Sequence, residues 1–366
     1  MTNTNPDIHG YSKEKIYDCH CHIEYEYNIN QTLELFQETM GHFNYGKIQV
    51  CALPSYNRLE NYKAFYIKSH ISPSVYVSAG LDHHFDERDT ADYYLSEIKR
   101  YHAMGCDGIK MLEGKMTLHR KIGRRLSDSV FDKFYAYAEE NSLPIIMHLG
   151  DPLANWDKSK MSQYAIEHGW YCDENDPTRE DLRTEVAEVL EKFPNLTLIM
   201  AHFYFMGDEL ERAAAMMDKY KNLHFDLTPG GEMFVEFTKN YDNARAFFEK
   251  YSDRLLYGTD TYAWIPDMSP EERNGARINL LRSYLEKTED FEADSFGMLR
   301  PFGLSEEITN KIYRDNFVRL YGDVPKKIDN GLIGSALNEY ISETQLNELD
   351  AENAKIIADY FESLSK

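Results

Sequence analysis

Two histidines are separated by a single residue in the segment Asp18-Cys19-His20-Cys21-His22. This segment ends a short apolar run of the kind that forms a β-strand, and side chains alternate along a strand. His20 and His22 are therefore predicted to point to one side, and Cys19 and Cys21 to the other. Two imidazoles on one face are ligands for a divalent metal ion. A zinc finger is the competing interpretation, but it needs a second ligand pair at finger spacing, and none follows in the sequence.

Three further residues of the same chemical kind end later apolar runs. His148 ends the run PIIMHL, His202 ends LTLIMAH, and Asp260 follows RLLYGT. Imidazole nitrogens with one carboxylate suit zinc, and they also suit iron or manganese. A lone histidine at such a place is usually satisfied by its neighbours, but four of them with an aspartate indicate a metal site.

The elements that must bring these residues together are short strands that alternate with helices. The apolar, β-branched runs predict eight strands, at residues 15–20, 47–53, 75–80, 107–112, 144–149, 196–202, 223–227 and 254–259. Apolar spacings of three and four predict helices between them, at residues 32–40, 57–69, 91–103, 128–141, 180–192, 208–220 and 241–251. Eight such units predict an α/β protein with a parallel (β/α)8 TIM barrel. The candidate residues then share the C-terminal strand ends, where such barrels build active sites.

An open, doubly wound parallel sheet is the alternative arrangement of the same elements. Its dinucleotide-binding form carries a Gly-x-Gly-x-x-Gly motif directly after the first strand. The sequence lacks this motif at that place, which favours the barrel.

Two segments lie outside the regular alternation. Residues 151–179 form the longest connection and follow the fifth strand, so they are expected either to cover the active face as a lid or to form a surface excursion. Helices predicted at 271–287 and 305–321 complete a barrel domain over residues 1–322. The acidic extension 323–366 has apolar positions at helical spacing, which predicts one or two amphipathic helices packed on the barrel or on the partner subunit of a homodimer.

The composition excludes several classes of protein. The chain has 366 residues, with 40 Lys and Arg against 62 Asp and Glu, and a formal net charge of −22. Binding to nucleic acid or to an anionic membrane needs a basic face, so this charge argues against both partners. The 42% apolar share is too high for a disordered acidic chain. A polar N-terminus and five scattered cysteines predict a cytoplasmic protein.

The order of the candidate residues resembles that of the amidohydrolase superfamily, with His-x-His on strand one, histidines on strands five and six, and an aspartate on strand eight. The closer likeness is to its amidohydrolase-related branch, which includes the aminocarboxymuconate-semialdehyde decarboxylase type. It covers about residues 15–320. It rests on IYDCHCHI (16–23), DGIKML (107–112), FPNLTLIMAH (193–202), RLLYGTD (254–260) and SEEITNKIYRDNFVRL (305–320).

The resemblance implies a metal-dependent hydrolase that binds one divalent ion, zinc in the first place, with manganese or iron as alternatives. The implied ligands are His20, His22, His148 and Asp260. A metal-activated water would attack a small amide, lactone or ester, and Asp260 would shuttle its proton. His202 would be the second catalytic residue, next to the oxygen that becomes negative.

Lys110 on the fourth strand leaves two alternatives open. Some superfamily members carry a carboxylated lysine there that bridges two ions; Lys110 would then be modified, and His148 and His202 would hold the second ion. An unmodified Lys110 would instead face the pocket and pair with a substrate carboxylate or with Asp260. The candidates for substrate contact are Lys110, Arg58, Asp151, Trp156 and Glu232.

Three functions follow from these predictions. The first is the metal-dependent hydrolase, and the second is a metal-dependent non-oxidative decarboxylase of a small carboxylic acid. The third is a barrel that binds a ligand without chemistry, which the intact set of five residues argues against. The expected partner is a small molecule, and an anionic one is compatible with the net charge because distant surface carboxylates are screened beyond about 8 Å.

Overall fold

Eight parallel strands of the computed structural model form one sheet, in which each strand pairs with the next along the chain. The structure describes residues 11–23, 27–229, 232–262, 265, 267–293 and 296–365, apart from the side chain of Tyr164. The strands are β1 (Ile16–Cys21), β2 (Tyr45–Cys51), β3 (Val75–Gly80), β4 (Gly108–Gly114), β5 (Ile145–Leu149), β6 (Leu198–Met200), β7 (Leu223–Asp226) and β8 (Leu255–Leu256).

Hydrogen bonds between β1 and the segment that continues β8 join the two ends of this sheet. Cys19 N donates to Tyr257 O over 2.9 Å, and Asp260 N donates to His20 O over 2.8 Å. The predicted (β/α)8 barrel is therefore confirmed, and the open doubly wound sheet is wrong.

Helices connect the strands and continue after β8. They are α1 (Ile29–His42), α2 (Glu60–Ile71), α3 (Ala91–Met104), α4 (Met116–Ile122), α5 (Asp132–Glu140), α6 (Gln163–Glu167), α7 (Arg179–Lys192), α8 (Leu210–Lys219), α9 (Glu232–Lys239), α10 (Tyr241–Tyr251), α11 (Ala276–Glu286), α12 (Glu306–Asn310), α13 (Asn316–Tyr321), α14 (Asn330–Glu343) and α15 (Glu348–Leu364). A short antiparallel hairpin, β9 (Phe291–Ala293) and β10 (Gly297–Leu299), follows α11.

Local signals set several of the helix ends. Asn28, Thr90 and Thr178 precede α1, α3 and α7, and each side chain accepts a hydrogen bond from an N–H of the first turn. Gly105 ends α3 in the left-handed region at a φ of 98°, which costs glycine little. These signals explain why the predicted bounds of α3 and α7 agree with the structure to within one residue.

The structure departs from the predicted elements at the ends of two strands. β6 and β8 are shorter than predicted, and after β6 the four residues from His202 to Phe205 all have φ between 48° and 59°. An apolar run such as LTLIMAH does not reveal that its last residue leaves the strand in a left-handed turn. The helices α4, α6 and α9 and the hairpin β9–β10 were not predicted either.

The alternation predicted for residues 18–22 holds for the two histidines and fails for the two cysteines. Asp18 pairs with Ile48 and Cys21 with Val50, so β1 has one residue more than β2 over this stretch. An extra residue of this kind redirects the neighbouring side chains. Cys19 packs inside the barrel, whereas Cys21 packs in the layer between strands and helices.

The interior of the barrel is filled at its N-terminal end. Tyr76 at the start of β3 belongs to the same buried cluster as Cys19, and Phe317 and Tyr321 of α13 pack against Tyr76 at this end. The polar strand ends therefore lie at the opposite, C-terminal end of the barrel.

The long connection 151–179 is anchored to α4. Arg120 donates to both carboxylate oxygens of Asp176, each over 2.6 Å, and to Gly169 O over 2.9 Å. The connection includes α6 and short helical turns at Leu153–Trp156 and Lys158–Lys160. Its function as a lid stays a prediction.

The C-terminal extension packs on the barrel. Helices α14 and α15 contact each other, and they contact α3 and α2 respectively. Asp350 of α15 accepts a hydrogen bond from Asn57 over 3.0 Å and lies 3.6 Å from Lys63 Nζ. A homodimer and a domain boundary at residue 322 stay predictions. Among the helices that the structure describes, none combines the length and the apolar character needed to cross a bilayer.

Gly114 allows the end of β4 to approach β5 closely. A Cβ at this position would overlap the carbonyl oxygen of His148, and a backbone oxygen cannot move without displacing the strand. We expect Gly114→Ala to lower the free energy of unfolding by about 1–3 kcal/mol, measured by urea denaturation. Gly41→Ala is the matched control because Gly41 lies in α1 and its Cβ would meet nothing within 4 Å. An unchanged stability of Gly114→Ala would contradict this account.

Candidate metal centre

His20 and His22 present their Nε2 atoms to one another at the C-terminal end of β1. His20 Nδ1 lies 2.8 Å from a carboxylate oxygen of Asp226 and 3.1 Å from Thr228 Oγ1. His22 Nδ1 donates to the carbonyl oxygen of Cys51 over 2.7 Å. Nδ1 is the donor in both rings, so the two Nε2 atoms carry lone pairs, and they lie 3.1 Å apart.

Electrostatics keeps His20 neutral and Asp226 ionised. Burial, with the charge of Lys110, lowers the pKa of His20 to about 4, so its ring is neutral. Burial raises the pKa of Asp226, but the adjacent His20 outweighs it and brings the pKa to about 2. The Asp226 carboxylate therefore accepts from His20 Nδ1, an arrangement that fixes the ring and makes Nε2 a better ligand.

Asp260 completes a group of three potential ligands. Its Oδ1 lies 3.2 Å from His22 Nε2 and 3.8 Å from His20 Nε2, while its Oδ2 accepts from Arg277 Nη1 over 2.9 Å. Burial opposes ionisation, yet the charge of Arg277 holds the pKa of Asp260 well below its usual range. Asp260 is therefore a carboxylate, and Arg277 leaves its Oδ1 free to face the histidines.

The three residues fit a divalent ion. Their ligand atoms lie within 4.8 Å of one another. Nitrogen and oxygen ligands about 2.0–2.2 Å from one zinc ion are roughly 3.3–3.6 Å apart in a tetrahedron, close to the separations of His20, His22 and Asp260. Two lone pairs and a carboxylate oxygen at such distances repel one another unless a cation or a proton donor lies between them.

Lys110 of β4 supplies such a donor in the structure. Its Nζ lies 2.8 Å from His20 Nε2, and an ammonium group can only donate. Lys110 therefore uses the lone pair that a metal ion would need, so an ion bound at His20 requires the lysine side chain to turn away. The carboxylation of Lys110 and its contact with a substrate stay predictions.

His148 and His202 lie beside this group. Their ring centroids are 4.8 Å apart, and those of His202 and His20 are 5.8 Å apart. His148 Nε2 lies 3.0 Å from Gly150 O, to which it donates, so Nδ1 would be its ligand atom. His148 does not belong to the close group of three potential ligands in the described part of the chain, and its assignment as a metal ligand stays a prediction.

His202 is held by the left-handed turn that follows β6. Its backbone N donates to Asp226 over 2.9 Å, and its ring stacks on Phe205. Burial lowers the pKa of His202 to about 3, so the ring is neutral. Its Nδ1 is buried with no hydrogen-bond partner among the described residues, which leaves hydrogen-bonding capacity for a ligand.

Two of the residues predicted to contact substrate lie in the long connection. Asp151 is buried, and its Oδ1 lies 3.1 Å from Lys115 Nζ. Trp156 donates from Nε1 to Pro177 O over 3.3 Å, so it holds the connection together. Both assignments as substrate contacts stay predictions.

The other two lie on loops after β2 and β7. Arg58 is ion-paired with Asp82, with its Nε donating over 2.6 Å, and its guanidinium lies 5.8 Å from the ring centre of Tyr340 in α14. Glu232 is exposed at the start of α9. The structure gives neither residue a contact with the histidines in the described part of the chain, so both stay predictions.

Three residues that support the site were given no role from the sequence. Asp226 ends β7 in the stretch HFDL, and the signal used for the other strand ends could have found it. Asp18 accepts from His20 N over 2.9 Å and from Thr259 Oγ1 over 2.6 Å, which ties β1 to the segment after β8. Arg277 belongs to α11, where an arginine carries no signal that distinguishes it from a surface residue.

Comparison with known proteins places the chain in a family. A family model described as amidohydrolase matches residues 17–322. Among curated proteins, none matches the chain in sequence.

The solved structures that resemble the chain share its fold at low sequence identity. One is 4-oxalomesaconate hydratase from Rhodopseudomonas palustris, at 12% identity and a TM-score of 0.52, covering 90% of this chain and 99% of that chain. Another is 2,6-dihydroxybenzoate decarboxylase from Rhizobium, at 14% identity and a TM-score of 0.52, and the match covers 84% of this chain and 98% of that chain. A third is a probable 2-pyrone-4,6-dicarboxylic acid hydrolase from Acinetobacter baumannii, at 12% identity and a TM-score of 0.51. This match covers 84% of this chain and 100% of that chain.

By name, these three neighbours are a hydratase, a decarboxylase and a probable hydrolase. At such identities they support the fold, whereas membership is decided by the family model, which spans most of the barrel. The chain therefore belongs to the amidohydrolase family.

Proposed function

We propose that this protein is a metal-dependent hydrolase that cleaves a small amide, lactone or ester. The supporting observation is the convergence of His20 Nε2, His22 Nε2 and Asp260 Oδ1 at the C-terminal end of the barrel. We propose zinc as the ion because it prefers nitrogen ligands with one carboxylate, and His148 as a further ligand beside them. A bound divalent ion would lower the pKa of a water molecule and polarise the substrate oxygen.

Asp260 is suited to move the proton that hydrolysis releases. Its Oδ2 is held by Arg277, while its Oδ1 faces the imidazoles. The carboxylate is ionised, so Oδ1 can accept a proton from the attacking water and pass it to the leaving group. Its side chain is 21% exposed, which leaves room for a substrate to approach.

His202 is suited to stabilise negative charge on the substrate. A neutral imidazole carries one N–H, and the ring of His202 lies next to those of His20 and His148. Its position is fixed by the backbone hydrogen bond to Asp226 and by the stacking on Phe205. A donor fixed in a buried site stabilises a developing oxyanion without having to reorganise.

Non-oxidative decarboxylation is the alternative, and labelled water separates the two reactions. We expect incubation of the zinc-loaded protein with a panel of small lactones, esters, amides and carboxylic acids in ¹⁸O-water to yield an organic product with ¹⁸O in its new carboxyl group. Hydrolysis transfers a water oxygen to the product, whereas decarboxylation leaves the organic product unlabelled. Mass spectrometry of the products decides, and release of carbon dioxide with an unlabelled organic product would overturn hydrolysis.

A further inference from the structure

A second lysine lies near the site, directly after β4. The side chain of Lys115 is 14% exposed, and its Nζ lies 3.1 Å from Asp151 Oδ1 and 4.9 Å from the ring centre of Trp170. Both neighbours belong to the connection 151–179. A largely buried lysine is rare without a specific partner, and this one is covered by the segment predicted to close over the active face.

The pair of Lys115 and Asp151 leaves bonding capacity on both sides. An ammonium group has three N–H donors, and Asp151 Oδ1 is the acceptor that Lys115 Nζ has in the described part of the chain. Asp151 Oδ2 is buried and has no hydrogen-bond partner among the same residues. A carboxylate oxygen can only accept, so the capacity open to an anionic ligand lies in the remaining N–H donors of Lys115.

The charge of Lys115 reaches the candidate metal centre. Burial lowers the pKa of His148 far below its usual value, and the charge of Lys115 is the largest electrostatic contribution in the same direction. The carboxylate of Asp260 in turn contributes to raising the pKa of Lys115, after Asp151 and Tyr56. Gly114, directly before Lys115, pairs with Leu149, and its carbonyl oxygen accepts from Gly150 N over 2.8 Å. Lys115 therefore follows the C-terminal end of β4, beside the strand end that carries His148.

We infer that Lys115 binds a carboxylate of the substrate that is remote from the bond being broken, with the connection 151–179 closed over it. This inference rests on the proposed function, because it assigns a second anchoring point to the same site. The adjacent Asp151 limits the net positive charge at Lys115, so a monoanionic carboxylate fits better than a dianionic phosphate. Lys115 would then determine specificity without touching the reacting atoms.

Dicarboxylates and their half-amides test this inference because they differ only in the charge of one end. We expect zinc-loaded protein to bind one linear dicarboxylate between malonate and adipate about tenfold more tightly than its half-amide, since hydrogen bonds to a charged group are the strong ones. Lys115→Met should abolish this difference and leave the half-amide affinity unchanged. Isothermal titration calorimetry measures both affinities. Lys160→Met is the matched control because Lys160 lies exposed on the same connection and pairs with Asp157.

A second variant keeps the test decisive if Lys115→Met does not fold. Asp151→Asn removes the competing charge, so we expect it to raise the affinity for the same dicarboxylate by about three- to tenfold. The inference is overturned if the wild type prefers no dicarboxylate, if Lys115→Met retains the preference, or if Asp151→Asn lowers the affinity. Metal content is measured separately, so loss of metal contradicts the proposed function, whereas loss of the preference alone contradicts the role of Lys115.

Discussion

Asp260→Asn should lower turnover by about 100- to 10,000-fold, the usual contribution of a positioned general acid or base. The amide cannot accept the proton that the carboxylate Oδ1 would take. His20, His22 and the proposed further ligand His148 still offer nitrogen atoms to the ion, so we expect most of the bound metal to remain. Arg277, which donates to Oδ2 and to the main-chain oxygen of Asp260, keeps the residue in place.

The measurement is turnover per bound metal ion, with metal content determined on the same samples. Asp253→Asn is the matched control, because this substitution removes the same negative charge at an exposed position before β8, away from the site. Retained turnover in Asp260→Asn would remove this residue as the proton shuttle. Lost metal with proportionally lost turnover would reduce its role to that of a ligand.

His20→Ala should reduce bound metal from about one equivalent to well below one tenth, because it removes one of the three converging ligand atoms. His20 is fully buried and touches His22, Lys110 and Asp226. Asp226→Asn should have a graded effect, with metal affinity lowered about 10- to 100-fold, since it loosens the partner that orients His20.

Metal analysis after dialysis against zinc, together with a competition titration against a chelator, measures both variants. His42→Ala is the control because His42 lies on α1 and pairs with Glu271, outside the barrel interior. Unchanged metal content in His20→Ala would refute the metal centre itself. If Asp226→Asn bound zinc as tightly as the wild type, the ring of His20 would need no orienting carboxylate.

Local patterns in the sequence were sufficient to predict the barrel and the candidate residues that follow its strands. Buried strands such as β3 leave an unbroken apolar run, and helices such as α3 leave apolar positions three and four apart together with a capping residue. His148 and Asp260 are polar residues at or just after the ends of such runs. They were singled out by the rule that barrel active sites lie at C-terminal strand ends.

What the sequence could not provide was the set of partners of these residues. His20 and Asp226 are 206 residues apart along the chain, and Lys115 meets Asp151 across two strands. Such contacts have no periodicity, because the closure of the barrel brings them together rather than any local preference.

The sequence by itself therefore determined that histidines end the apolar runs of β1, β5 and β6 and that an aspartate follows the run of β8. The period of two residues in strands and of 3.6 residues in helices can be read from the local sequence. Only the tertiary structure decided how these groups act. It placed one extra residue in β1, so that Cys19 and His20 do not alternate as an ideal strand requires. It also set Lys110 against His20, and Arg277 against Asp260. The physical reason is that hydrogen-bond direction and charge depend on distances of about 3 Å, which are fixed only when all eight strands close around one axis.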